Sequence, residues 1–277
     1  MKPEIMMSPD AVSTAPEIQI RNVGKTFGAG ESPVVALKEI DVDVAHGEFV
    51  CLLGPSGCGK STLLNAIAGF SPPTSGAITV RGNTVERPGP ERGMVFQEYA
   101  LFPWMNVARN IAFGLEIKGT PRLEREAIVD SLLEKLGLTD FRDRFPKDLS
   151  GGMRQRVAIA RILALDPPIM LMDEPFGALD ALTRRSLQDE LLRIWEEFGK
   201  TIIFVTHSIE EAIYLGSRVV VLTYRPGMVK QDILINLPRP RDTADPAFND
   251  MKRDIGALVM EEHQRFSDDE RRGGTFD

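Results

Sequence analysis

The sequence predicts an α/β fold built on a parallel sheet, and three observations carry that expectation. The apolar run EFVCLL (48–53) passes directly into GPSGCGKST (54–62) and then LLNAIAG, a buried strand, a glycine-rich turn and a helix in succession. PIMLMDEP (168–175) and TIIFVTHS (201–208) are continuous apolar runs, as strands buried on both faces require. The segment between them, ALTRRSLQDELLRIWEEFG, has helical spacing and completes a strand-helix-strand unit.

The remaining elements follow in order. Residues 1–16 have no periodic pattern and are expected to be a flexible start. EIQIRNV (17–23) and IDVDV (40–44) alternate as half-buried strands do. SPPTSG (71–76) is a turn cluster, AITVRG a short strand after it, and RGMVFQ (92–97) a buried one. From about 104 to 165 the pattern turns helical through VARNIAFGLEI, EAIVDSLLEKLGL and MRQRVAIARILAL. RVVVLT and MVKQDILI close the sheet region. Met251, Ile255, Leu258 and Val259 then share one face of an amphipathic helix, and SDDERRGGTFD after it is expected to be disordered. The chain has neither internal repeat nor long linker.

Composition narrows the function. With 43% hydrophobic residues in 277, the chain can bury a proper core. A net charge of −7 argues against a nucleic-acid partner, which needs a basic surface, but leaves room for a local anion site. The two cysteines, Cys51 and Cys58, do not read as a disulfide framework and point to a reducing compartment, by default the cytoplasm. Residues 1–16 lack the apolar centre of a signal peptide, and no stretch approaches 18 consecutive apolar residues. The chain is therefore not expected to cross a membrane.

The chemistry is concentrated at strand ends. Gly54, Pro55, Ser56, Gly57, Cys58, Gly59, Lys60, Ser61 and Thr62 match G-x-x-x-x-G-K-[ST] in full, between a strand and a helix. Glycines let successive N–H groups point at phosphate oxygens, and the helix start adds partial positive charge. Lys60 would reach the β and γ phosphates, Ser61 would sit on Mg²⁺, and Thr62 would be available to an α-phosphate oxygen. Cys58, inside this nest beside Lys60, is expected to carry thiolate character. Asp173-Glu174 ends a buried strand, where ligands meet open α/β sheets; one acid can hold Mg²⁺ and its neighbour can act on water. Gln97 and His207 end two further strands; alone, each reads more readily as a structural hydrogen-bonder than as a catalytic group. In LSGGMRQR (149–156), Ser150 is an N-cap and Gly151-Gly152 bare backbone N–H groups, which fits a capping turn or, less often, an anion site.

The order GPSGCGKST, VFQ, LSGGMRQR, IMLMDEP, GALD and TH resembles the ATP-binding-cassette ATPase family over roughly residues 17–235. That resemblance implies a phosphate-loop, RecA-like core with an antiparallel β subdomain and an inserted α-helical subdomain (about 98–165), together spanning 17–240. Residues 241–277 would add a helix and tail, with too little chain for the regulatory domain of related sugar and polyamine importers. It also implies roles: Phe27 stacking on adenine, Gln97 sensing Mg²⁺ and the γ-phosphate, Asp173 associated with Mg²⁺, and Glu174 the general base. Ser150, Gly151 and Gly152 would complete the partner subunit's site, Asp180 would lie in the dimer-contact loop, and His207 would be the switch histidine. Met153 departs from the family, where glutamine is commonest; the serine and glycines are intact.

GCGKSTLLNAIAG, VFQEYALFPWMNVARNIAFGLE, DEPFGALDALTR and YRPG look most like bacterial importer ATPases for nitrate, sulfonates and taurine, with bicarbonate, cyanate or a thiamine-precursor pyrimidine nearby. The implied cofactors are ATP and Mg²⁺. The implied partners are a second copy of the chain, integral membrane permease subunits and, indirectly, a solute-binding protein, at the cytoplasmic face of the inner membrane. A soluble cassette ATPase of DNA repair or ribosome work is the alternative, without the coiled-coil insertion, zinc motifs or second cassette typical of those proteins. A binding module that hydrolyses nothing would not need Glu174 and His207. Tyr99, Leu101, Phe102, Pro103 and Trp104, just after Gln97, are expected to rim a groove for a short permease helix.

Overall fold

The computed structural model describes residues 15–28 and 33–271. The expected flexible start up to residue 14 and the expected disorder at 272–277 lie outside the described residues.

The chain begins with β1 (Ile18–Phe27) and β2 (Val34–Val44), then β3 (Phe49–Leu53), α1 (Lys60–Ala68), β4 (Ser75–Val80), β5 (Asn83–Thr84) and β6 (Arg92–Val95). Three helices follow: α2 (Val107–Ile117), α3 (Arg122–Lys135) and α4 (Gly151–Leu163). Then come β7 (Ile169–Asp173), α5 (Ala181–Phe198), β8 (Thr201–Thr206), α6 (Ile209–Leu215), β9 (Arg218–Leu222), β10 (Val229–Leu234) and α7 (Pro246–Arg271).

Two sheets result. The first is antiparallel, in the order β2-β1-β4-β5, and its register pairs Ile18 with Val44 and Ile20 with Val42 so that the apolar members share one face. The second has the order β10-β9-β3-β8-β7-β6; β9, β3, β8, β7 and β6 are parallel, and β10 joins the edge antiparallel. Every residue of β3 and β8 is buried, which is why their sequences run without polar alternation. Alternation sorts β3 between two cores instead. Val50 and Leu52 join Leu63, Leu64 and Ile67 of α1 beneath the antiparallel sheet, whereas Phe49, Cys51 and Leu53 face the core shared with the later helices.

The helical region begins later than the sequence suggests. Residues 98–106 form no helix, and Tyr99 and Ala100 have φ of 60° and 47°. The buried Asn110 side chain holds this loop open: it accepts from the Phe102 N–H (2.9 Å) and donates to the carbonyls of Phe102, Met105 and Asn106. Asn106 then caps α2 by accepting the Arg109 N–H at 2.9 Å.

The C-terminal expectation needs a correction too. Ile255 is buried, with Met251, Leu258 and Val259 packed beside it, as the apolar face demands. The segment 267–271, read as disordered, continues α7. Packing extends the helix: the Phe266 ring stands edge-on to Tyr224 with centroids 5.3 Å apart, and Glu262 is fully buried.

The two sheets meet at the turn between β9 and β10. Gly227 donates its N–H to the Ala36 carbonyl (2.9 Å) and accepts from the Lys38 N–H (3.0 Å), joining that turn to β2. A Cβ on Gly227 would overlap the Cys58 carbonyl oxygen. Because backbone surrounds the position, Gly227→Ala should cost about 2 to 3 kcal/mol, the upper part of the overpacking range, read as a lowered urea midpoint of the full chain.

Candidate active site

The phosphate loop follows from its flanks. β3 delivers the chain at Leu53 from inside the sheet, and α1 starts at Lys60 with Gly59 as N-cap at φ 97°. That left-handed conformation favours glycine, and a Cβ there would come within 2.6 Å of Leu37. The loop can therefore lie tight against β2. Lys60 is buried, and its Nζ donates to the carbonyls of Gly54 (2.8 Å) and Pro55 (2.9 Å). A cleft of about 340 Å³ opens over the loop, lined by Ser56, Gly57, Gly59, Lys60, Ser61 and Thr62, by Glu174, and by residues of three other segments. Phe27 comes from the end of β1, Val34 and Ala36 from β2, and Arg225 from the β9–β10 turn. The half-exposed Phe27 ring offers an apolar face there.

The acids stand at the other rim. Ser61 Oγ donates to Asp173 Oδ1 at 2.9 Å, tying the first turn of α1 to the end of β7. Burial pushes the Asp173 carboxyl up; the Ser61 hydrogen bond opposes this and the neighbouring Glu174 charge reinforces it. A hydroxyl beside a carboxylate is a hard-oxygen donor pair that suits Mg²⁺, which completes its shell with phosphate oxygens and water. Glu174 has φ 42°, a left-handed conformation costing about 1 to 2 kcal/mol for a residue with a side chain. Its N–H still donates to Val205 O (3.1 Å), while its carboxylate accepts from His207 Nδ1 at 2.9 Å and lines the cleft. An ionised carboxylate only accepts, so this contact places the proton on Nδ1.

The turn carrying His207 has its own support. Glu211 is buried and accepts from Thr206 Oγ1 (2.5 Å) and Gln188 Nε2 (2.9 Å), while the Ser208 N–H donates to Thr206 Oγ1 (3.0 Å). Burial pushes the Glu211 carboxyl up, and its two donors pull it back only in part.

The other expected residues lie elsewhere. Gln97 is exposed two residues beyond the Val95–Met172 pair, level with Glu174, and makes no hydrogen bond to Ser61, Asp173 or Glu174. Ser150 caps α4 by accepting the Met153 N–H at 3.3 Å, and neither it nor Gly151 or Gly152 lines the cleft of its own chain. Gly152 is also a packing requirement, since a Cβ would come within 2.5 Å of Thr183 on α5. Asp180 caps α5 through the Thr183 N–H (3.0 Å); that backbone bond and the Thr183 hydroxyl hold its carboxyl below the usual range.

Cys58 departs from its expectation. The residue is fully buried, packed against Gly54, and burial pushes the thiol up, with Lys60 opposing only in part. Desolvation outweighs the nearby cation. Arg225, Val34, Ala36 and Glu211 were not anticipated as site residues. YRPG marks Arg225 in the sequence, but no local spacing links it to the loop. Because Cys51 is fully buried and likewise pushed up, iodoacetamide at neutral pH should leave both thiols of the native protein unmodified. Both should react promptly in denaturant, which mass spectrometry of the labelled peptides will read.

Residues 37–177 match the family model described as ABC transporter. The taurine import ATP-binding protein TauB of Roseobacter denitrificans is 53% identical over 199 residues, covering 72% of this chain and 74% of its own. The nitrate import ATP-binding protein NrtD of Synechocystis sp. is 46% identical over 237 residues, 86% of this chain and 89% of its own. Among solved structures, a dimeric bacterial ABC transporter cassette superposes with a TM-score of 0.71 at 35% identity, covering 80% of this chain and 100% of that one. A dimeric cassette in a post-hydrolysis state bound to ADP and phosphate gives 0.70 at 34% identity, with the same coverage. With the phosphate loop, the paired acids and the two-sheet core in agreement, this chain belongs to the ABC transporter family as an ATP-binding subunit.

Proposed function

We propose that two copies of this chain close around two ATP molecules with Mg²⁺ and drive an importer for a small solute such as nitrate, a sulfonate or taurine. The observation that carries the hydrolytic reading is the Glu174–His207 pair, 2.9 Å apart with Glu174 lining the phosphate-loop cleft. Glu174 takes a proton from water as that oxygen attacks the γ-phosphorus, and the bond to the β–γ bridging oxygen breaks to release ADP and phosphate. His207 holds the carboxylate in line through Nδ1. Lys60 and the loop N–H groups bind the phosphates, and Phe27 stacks on adenine. Ser61 and Asp173, with Gln97 nearby, would hold Mg²⁺, which would supply charge neutralisation to the phosphates.

Ser150, Gly151 and Gly152 serve the opposite subunit's γ-phosphate, with Asp180 at the contact between copies. Their absence from their own chain's cleft supports that arrangement, as do the dimeric cassettes that the fold matches. Among the described residues no helix is long and apolar enough to cross a membrane, so transport needs integral membrane permease subunits. A groove of about 630 Å³ on the helical region, walled by Phe96, Phe102, Phe113, Ile117 and Leu165, fits a short apolar helix of such a partner. Trp104 is 69% exposed and stands beside Phe102, centroids 5.7 Å apart. Tyr99 and Leu101, by contrast, pack on the core. This assembly would sit at the cytoplasmic face of the inner membrane, with a solute-binding protein choosing the cargo.

Two experiments test the reading. Glu174→Gln should lower the rate of phosphate release by about 10²- to 10⁴-fold while ATP still binds, because the lost group acts on water. Near-normal turnover contradicts the assignment. Trp104→Glu should abolish co-purification with the permease while changing ATP affinity of the isolated subunit by less than about twofold. Normal assembly and transport would rule Trp104 out as a permease contact.

A further inference from the structure

The turn between β9 and β10, which carries YRPG, reaches the cleft from outside the phosphate loop, the LSGG tract and the paired acids. Arg225 Nε donates to the Gly57 carbonyl at 3.3 Å, and its guanidinium lies against Gly57, 3.3 Å from where a Cβ would stand. Gly57 is one of the unspecified positions of G-x-x-x-x-G-K. Here its lack of a side chain admits the guanidinium, and its φ of 73° favours glycine as well. Arg225 and Lys60 are the cations lining the cleft. Among the described residues no carboxylate pairs with Arg225, and its terminal amino nitrogens have no protein hydrogen-bond partner. Lys60 acts as a point charge, whereas a guanidinium offers a planar fork of donors matched to phosphate oxygens.

The same turn is held from behind by the C-terminal helix. Glu262 on α7 is fully buried; its Oε2 accepts the N–H of Tyr224, the residue before Arg225, at 2.9 Å, and its Oε1 pairs with Lys230 Nζ at 2.8 Å. Burial opposes the Glu262 charge, but Lys230 and the Tyr224 N–H outweigh it and hold the carboxyl below its usual range. One turn further on, Phe266 stands edge-on to the Tyr224 ring, and the Arg225 guanidinium lies over that ring at 6.0 Å. A continuous set of contacts thus runs from α7 through Tyr224 and Arg225 to the phosphate loop.

We propose that Arg225 contacts the phosphates of bound ATP, and that α7, through Glu262 and Phe266 on Tyr224, positions it, so that the C-terminal helix sets nucleotide affinity. The ligand chemistry is a nucleoside triphosphate in the cleft already described, and the proposal rests on the phosphate-loop reading of Lys60. Arg225 is the contact residue. Glu262 and Phe266 act through it.

The test uses the full chain, with ATP affinity and melting temperature measured on each variant. Arg225→Ala should raise the Kd and KM for ATP about tenfold, the scale of a charge-assisted hydrogen bond, with Arg225→Lys partly restoring both. The melting temperature without nucleotide should hold, and the rise produced by ATP should shrink. If Arg225 only clips the loop, the nucleotide-free melting temperature falls and affinity is unchanged, which overturns the contact. Glu262→Gln and the milder Phe266→Leu should each raise the Kd about threefold in the native background and not at all beside Arg225→Ala, the coupling expected of one linked unit. Additive effects, or no effect of Phe266→Leu, overturn the positioning role of α7. Lys60→Ala is the control: if it binds ATP normally, the phosphate-loop reading fails, whatever Arg225 does.

Discussion

The structure depends on how closely the phosphate loop is wedged between β2 and the β9–β10 turn. Gly59 lies against Leu37 and Ala36, Gly54 against Cys58 and Leu222, and Gly227 against the Cys58 carbonyl. Side chains at these positions would push the loop off both sheets. The packing is dry: Leu37 and Cys58 are fully buried, and Lys60 is held by two loop carbonyls. A loop that must offer its N–H groups to an anion is thus fixed by the backbone around it. Packing of this kind restricts the loop, which lowers the ordering cost of binding.

Everything else at the site is placed relative to that wedge. The parallel strands β3, β8 and β7 end side by side, so Leu53 leads into the loop, His207 follows the adjacent β8, and Asp173 and Glu174 stand at the end of β7 beyond it. The antiparallel sheet brings Phe27 and Val34 to the same cleft, where they offer an apolar face. Buried networks then stiffen the rim: Asn110 shapes the loop after Gln97, and Glu211 shapes the turn after Thr206. On the proposed reading, the pieces missing from this cleft are Ser150, Gly151 and Gly152, which a second copy supplies.

Contiguous features were legible in the sequence. GPSGCGKST specifies its backbone by glycine placement, and the runs around Asp173 and His207 announce strand ends because their apolar stretches stop there. Features made by contacts across the chain were not. Arg225 and Gly57 are 168 positions apart and share no periodicity. Cys58 looked electrostatically activated because spacing records the neighbouring Lys60 but not the packing that desolvates the thiol. The continued helix at 267–271 was hidden for a similar reason: SDDER has a polar composition, and the Phe266–Tyr224 contact that extends the helix lies outside it. The late start of α2 depends on one buried amide, Asn110, whose four backbone bonds no pattern of hydrophobicity records.

The central claim is that one chain holds two halves of different sites, and mixing two defective chains tests it most directly. Lys60→Ala spoils the phosphate loop and spares Ser150; Ser150→Arg does the reverse. Neither alone should dimerise with ATP or release phosphate. Since neither chain pairs with itself, the dimers formed in an equal mixture hold one of each and carry one intact site of two, so up to about half of the wild-type sites should return, read as recovered ATP-dependent dimerisation and phosphate release. A mixture as inert as its components would contradict the shared site.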